Sequence, residues 1–378
     1  MRGLRKTGLI ALISALASFG VLWGQKSQQI SVRLTISLTG IGYKPETGCG
    51  YKGKDVPSDL TSLNDDDKLR LSFPSDGLLA VYRSACRPSL ATIRSSDSKV
   101  REMEAWFVDP STGKLVGTEA WPTAKRRWLN DRWDTQARII PVQSGFLVHA
   151  GPFLYFYTFN REKKVQLPLD PDSRWAVKVV RPGSEIHLQE ISDDESAVGR
   201  WLSSETLKQE HRQSEFAGIT SASSKAAVTL LAHCLHIQPL SAKEYDLYCP
   251  ASRDLGLPEF LNDSEVLAIS GKSVVLLSLK SEKLWSREAS SDHSIINDKI
   301  SLRGNRFAIL LRGRTTFDGT EVPKHKESVV VYDSEKRIQI FHSVVAGEFE
   351  VTDFALSPDG KALAVLKADN IQIYDLEN

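Results

Sequence analysis

FALSPDGKALAVLKADNIQIYDLEN, residues 354–378, is the stretch from which the fold is read. Three short runs rich in alternating apolar residues, 354–356, 362–367 and 371–376, are separated by Ser-Pro-Asp-Gly-Lys and by Ala-Asp-Asn. Each run reads as a strand of a partly buried sheet. In the first turn proline presets φ, aspartate bonds its own backbone, and glycine supplies the positive φ needed to reverse the chain tightly. The segment therefore predicts three consecutive antiparallel strands with no fourth after them. Near the other end, residues 30–38, ISVRLTISL, alternate in the same way and have no hairpin partner in sequence. Pairing the two removes an exposed edge at each end, so the N-terminal strand is expected to complete the last sheet and close a ring.

Internal repeats extend this reading along the chain. Four fifteen-residue segments align without gaps as strand, short turn, strand: 145–159 (GFLVHAGPFLYFYTF), 226–240 (AAVTLLAHCLHIQPL), 265–279 (EVLAISGKSVVLLSL) and 362–376 (ALAVLKADNIQIYDL). Three weaker copies end at Pro110, Ser203 and Ser334. Taking the end of this second strand as a marker gives positions 110, 159, 203, 240, 279, 334 and 376, a period of about 44 residues, as four-stranded propeller blades leave in a sequence. The expected fold is all-β, a single β-propeller of seven four-stranded blades. Counts of six or eight stay open because the copy around 174–212 is the least regular.

The turn chemistry also supports a family resemblance. LSPDGKALAV at 356–365 is similar to the Ser-Pro-Asp-Gly-Lys turn of the WD-like repeats in TolB-type propellers, and SFPSDGLLAV at 72–81 is a degenerate second copy. The resemblance implies a propeller and does not imply an activity. The Gly-His and Trp-Asp signatures of strict WD repeats are absent from the chain.

Arg2, Arg5 and Lys6 precede an uncharged run from Thr7 to Gly24, with the charge and length of a secretory signal. Residues 1–24 are read as that signal, with cleavage after Ala17 or Gly24 left open and an uncleaved membrane tether as the alternative. Absence of cysteine there excludes a lipoprotein anchor. The remainder, 25–378, is read as the propeller, with 30–38 as closing strand and 39–67 as a long loop, in a periplasmic or secreted protein that is monomeric and has no membrane span after cleavage. Composition is ordinary for a globular chain, 41% hydrophobic and 25% charged. Lys+Arg 48 against Asp+Glu 47 gives +1, so no global field argues for nucleic acid.

An exported chain with four cysteines is expected to pair them. Cys234 and Cys249 fall on neighbouring strands of one blade, almost opposite each other across a turn near 242–243. Cys49 in the long loop and Cys86 beyond a second strand would meet on one face. Four buried thiols are the alternative. Strand alternation places Cys234 and His236 on one side and His233 on the other, so HCLH at 233–236 is not read as a metal site. The acidic run Asp65–Asp67 reads as the end of a solvated loop. No haem, zinc-protease, nucleophile-elbow, Walker or complete calcium motif occurs, and no cofactor is expected.

What remains is one face. Connections joining fourth to first strands and second to third strands share one side of a propeller, and segments 84–101, 122–134 and 312–327 carry twelve bases against six acids. WPTAKRRWLNDRW, 121–133, is densest, and Arg126, Arg127, Trp128, Arg132 and Trp133 are the candidate ligand-contacting residues. Guanidinium forks with aromatic planes suit an anionic or carbohydrate ligand, or an acidic protein. The competing view packs these tryptophans into the inter-blade core. At the level of function, a non-catalytic binding or scaffold propeller is expected. The alternative is an exported hydrolase or amine- or quinone-type oxidoreductase whose site converges from several blades.

Overall fold

The computed structural model describes residues 30–44, 69–88, 99–123, 137–170, 173–191, 196–216, 220–231, 233–239, 242–250, 255, 258–270, 272–288, 293–313, 327–344 and 351–376. Among these, every extended element belongs to one of seven four-stranded antiparallel sheets, and the only regular helical element is a 3-10 turn at Thr39–Ile41. The sheets are seven propeller blades. Their inner strands are Arg70–Ser75, Ala137–Val142, Arg174–Val180, Thr220–Ala222, Glu259–Asn262, His293–Ile300 and Val351–Leu356, in blades 1 to 7.

Register confirms the repeat. The four gapless copies fold as six residues, a two-residue turn and six more: Gly145–Ala150 with Phe153–Thr158, Ala226–Leu231 with Cys234–Pro239, Glu265–Ser270 with Ser273–Ser278, and Ala362–Lys367 with Asn370–Asp375. Where a side chain occupies the turn, His233 and Ala368 take positive φ, as does Gly151. The irregular copy is a complete blade, from Arg174–Val180 to Gln209–Phe216.

Closure runs through the last blade. Val32–Ser37 forms its outer strand, with Leu34 opposite Ile373, Ile36 opposite Ile371 and Ser37 opposite Asn370. Alternation sends Ile36 into the core while its neighbours Thr35 and Ser37 face solvent, and Leu38 and Ile41 follow it into the same core. Seven apolar clusters, each shared by two adjacent blades, complete the circuit among the described residues. The cluster joining blades 7 and 1 combines Ile36, Leu38 and Ile371 with Leu71, Phe73 and Leu79.

The Ser-Pro-Asp-Gly turn behaves as its chemistry dictates. Gly360 sits at φ +76°, its N–H donates to the Ser357 carbonyl at 2.8 Å, and the Asp359 carboxylate accepts from Ser357 Oγ at 2.6 Å and Lys361 N–H at 3.0 Å. Gly77 in the degenerate copy does not adopt a positive φ. Blade 1 pairs Ser75 with Leu78 around a two-residue turn, whereas blade 7 pairs Leu356 with Leu363 around a longer one. Asp76 instead latches the ring, accepting from the Asp359 N–H at 2.9 Å and pairing with Arg303 of blade 6.

Candidate functional site

The inner strands of blades 1, 2, 3, 5, 6 and 7 line a central channel of about 760 Å³, within the range of roughly 300–1,000 Å³ typical of ligand sites. One end is plugged from within. The first turn of blade 3, 181–184, reaches across to blades 2, 5 and 6. Arg181 Nε donates to the Ser301 carbonyl of blade 6 at 3.3 Å, and a second guanidinium nitrogen donates to the Phe260 carbonyl of blade 5. The Gly183 carbonyl accepts from the Gln143 N–H of blade 2 at 3.0 Å. At Gly183, φ +109° with Leu302 and Gln143 close by leaves no space for a side chain. The cavity is thus blind on the side of the first-to-second-strand turns, and entry is from the face where inner strands begin.

Charge in the channel is segregated. On the blade 3, 5 and 6 side the carboxylates are neutralised: Lys178 pairs with Glu259 across the channel, and Arg181 lies beside both Glu259 and Asp298. Burial opposes ionisation of Glu259, but Lys178 and Arg181 outweigh it and hold the carboxyl below its ordinary value. Asp298 shifts the other way, pushed up to about 6 by burial and then by the neighbouring Glu259 charge. On the blade 1 and 2 side stand Arg70 and Arg138, with no ion-pair partner among the described residues. They occupy equivalent register positions, opposite Tyr82 and His149, the fifth residues of their second strands. Both arginines and Tyr82 line the cavity, and the phenol is acted on by the Asp353 charge, which raises it, and by both cations, which lower it. Burial nevertheless raises Tyr82 to about 12, so it stays a neutral hydroxyl, and its oxygen is hydrogen-bonded by the Ile139 backbone. Asp353, the blade 7 residue at the same level, is engaged elsewhere: it accepts from the Leu71 N–H at 2.8 Å and lies 3.9 Å from Lys299.

The residues singled out from sequence meet different fates. Arg126, Arg127, Trp128, Arg132 and Trp133 lie outside the described residues, on the connection from the outer strand of blade 1 to the inner strand of blade 2. Trp121, at the head of that motif, belongs to the core: it is 4% exposed, its Nε1 donates to Tyr157 Oη at 2.8 Å, and it meets the Tyr157 ring edge-on. Arg312, counted among the basic rim, is held by Glu327, with Nε 2.7 Å from the carboxylate. Cys234 and Cys249 are joined as a disulfide that ties the third strand of blade 4 to the end of its fourth. With Asp246 the two sulfurs form a group of metal-ligating type, but both are committed to the bond. His236 lies on that blade between Glu244 at 3.0 Å and Asp246 at 3.3 Å, on opposite ring nitrogens. Cys49, the side chain of Cys86 and Asp65–Asp67 lie outside the described residues. Of the segment read as a long loop, residues 39–44 are described, with the Tyr43 ring edge-on to Trp106 and the Arg83 guanidinium 5.0 Å from the Tyr43 ring.

Sequence reasoning missed the channel lining. Its signal was available: Arg70 and Arg138 are the first and second residues of successive inner strands, in LRLSF and ARIIPV. Motif searches overlook it because the residues converge from different blades.

No protein-family model matches the chain, and no curated protein matches it. Solved structures do. Raptor from Chaetomium thermophilum superposes with a TM-score of 0.51 at 10% identity, over 82% of this chain and 28% of that one, so the chain spans under a third of Raptor's length. The C-terminal WD40 domain of Sif2 gives 0.44 at 12% identity, over 83% and 97% of the two chains. A chain of the mitotic checkpoint complex gives 0.46 at 12%, over 92% and 95%. At such identity the likeness is one of fold, the seven-bladed propeller already described.

Proposed function

We propose that this protein is an exported, non-catalytic propeller that binds an acidic partner protein on the face where its inner strands begin. The observation that carries the reading is the charge arrangement in the channel: Lys178 and Arg181 lie against the carboxylates of blades 5 and 6, while Arg70 and Arg138 line the lumen without an ion-pair partner among the described residues. In sequence the connection 124–136, with Arg126, Arg127 and Arg132, leads into the strand that bears Arg138, which supports counting these bases with it. Rigid blades carrying variable connections are a common frame for binding. Export rests on Arg2, Arg5 and Lys6 ahead of the uncharged 7–24 run, and the Ser-Pro-Asp-Gly turns add the TolB-type resemblance. The test is capture of partners from the exported fraction by wild type and by an R126S/R127S/R132S variant. Partner recovery is expected to drop at least tenfold with melting temperature unchanged. Equal recovery, or no partner for wild type, refutes the reading.

A second reading has its own observation. Glu259 and Asp298 are neighbouring carboxyls whose environments push them in opposite directions, the arrangement that equips one group as base or nucleophile and the other as acid. An exported hydrolase using this pair would lose turnover on D298N substitution without loss of partner capture.

A further inference from the structure

The geometry points to a receptor for an oxyanion, carboxylate or phosphate, formed by Arg70, Arg138 and the Tyr82 hydroxyl at the open end of the blind channel, which admits an extended acidic segment of the partner. It rests on the binding reading above and gives it a chemistry. Three observations converge. The first is register: Arg70 and Arg138 sit at equivalent positions of adjacent inner strands, so their guanidinium groups enter the cavity at one level from neighbouring blades. The second is that neither arginine forms an ion pair among the described residues, Asp353 at the same level being engaged by the Leu71 N–H and lying 3.9 Å from Lys299. The third is Tyr82, whose oxygen already accepts a backbone hydrogen bond from Ile139, leaving its own proton to donate.

Two guanidinium forks and one hydroxyl supply enough donors to occupy the lone pairs of a carboxylate, and the forks match planar or tetrahedral oxyanion edges bidentately. The plug at 181–184 limits depth, so a ligand enters from one side and ends inside. Ile295 on the mouth side of the arginines and Ile140, Pro141 and Val179 on the inner side add apolar wall for the body that carries the anion. Lys178, level with Ile140, and Arg181 in the plug are committed to Glu259 and to backbone carbonyls.

Calorimetry on the full chain with hexaglutamate, hexaglutamine and inorganic phosphate tests this directly. Hexaglutamate is expected to bind at 50 mM salt and hexaglutamine not to bind. R70Q and R138Q should each weaken hexaglutamate at least tenfold, Y82F several-fold, and K164Q on the outer strand of blade 2 not at all. Raising salt to 500 mM should weaken wild-type binding by more than tenfold, a measurement that needs no variant to fold. Phosphate competition at millimolar concentration would assign the site to a bare oxyanion, and its absence to a peptide carboxylate. Equal binding of the two peptides, salt-independent affinity, or R70Q and R138Q variants that bind as wild type would overturn the proposal. If those two variants also capture the native partner as wild type does, the channel receptor fails while the binding function stands.

Discussion

Burial in the channel wall, with the Glu259 charge beside it, raises the Asp298 carboxyl to about 6, and the consequence is a pH dependence of defined sign. In the unfolded chain this carboxyl ionises near its ordinary value of 3.8, so between there and 6 the folded state binds more protons than the unfolded one. Stability from this group is therefore highest below pH 4 and falls as pH rises to 6. The stability difference between wild type and D298N should shrink or reverse by on the order of 2 kcal/mol from pH 4 to 7, read from denaturant melts at each pH. Parallel profiles would contradict the assignment. His149 acts in the opposite sense: burial, then the Arg138 charge, holds its imidazole down to about 3, so its contribution is complete above 6.5 and is lost as pH falls. Neither residue could be assigned from sequence, because burial and cross-blade neighbours set both values.

The element with the largest structural consequence is the strand Val32–Ser37. It supplies the outer edge of blade 7 and, through Ile36 and Leu38, part of the core shared with blade 1. Burying two such side chains contributes about 3–6 kcal/mol, a large fraction of the roughly 5–15 kcal/mol by which domains are stable. Deleting residues 25–40 should therefore lower the melting temperature sharply or prevent folding, and a truncated chain that melts like the parent would refute closure. The opposite face adds a latch, in which Asp76 of blade 1 ties Arg303 of blade 6 to the Asp359 N–H of blade 7. The strand itself was legible, since alternation and the missing fourth strand pointed to each other. The latch was not. Asp76 and Arg303 lie 227 positions apart, and nothing local marks either as a partner.

At the scale of the whole molecule, seven inter-blade clusters among the described residues and the non-covalent closure of blade 7 hold the ring, so where the chain is cut matters less than that each blade is completed. A circular permutant that joins Leu376 to Ile30 through a short glycine-serine linker and opens the chain in the 279–282 turn should fold and melt within a few degrees of the parent. Ile30 already packs on the cluster that holds Leu376, so the linker spans neighbouring sites. Loss of the fold on permutation would show that chain continuity through blade 5 is required. The sequence by itself determined the all-β class, the blade period, the closing strand and the opposition of Cys234 and Cys249, because these follow from alternation and turn chemistry within some forty residues. Only the tertiary structure decided that Trp121 is core, that the 181–184 turn plugs the channel, and that Arg70 and Arg138 line one cavity. Those outcomes depend on which blades become neighbours around a closed ring, and contacts between residues so far apart leave no pattern in the chain between them.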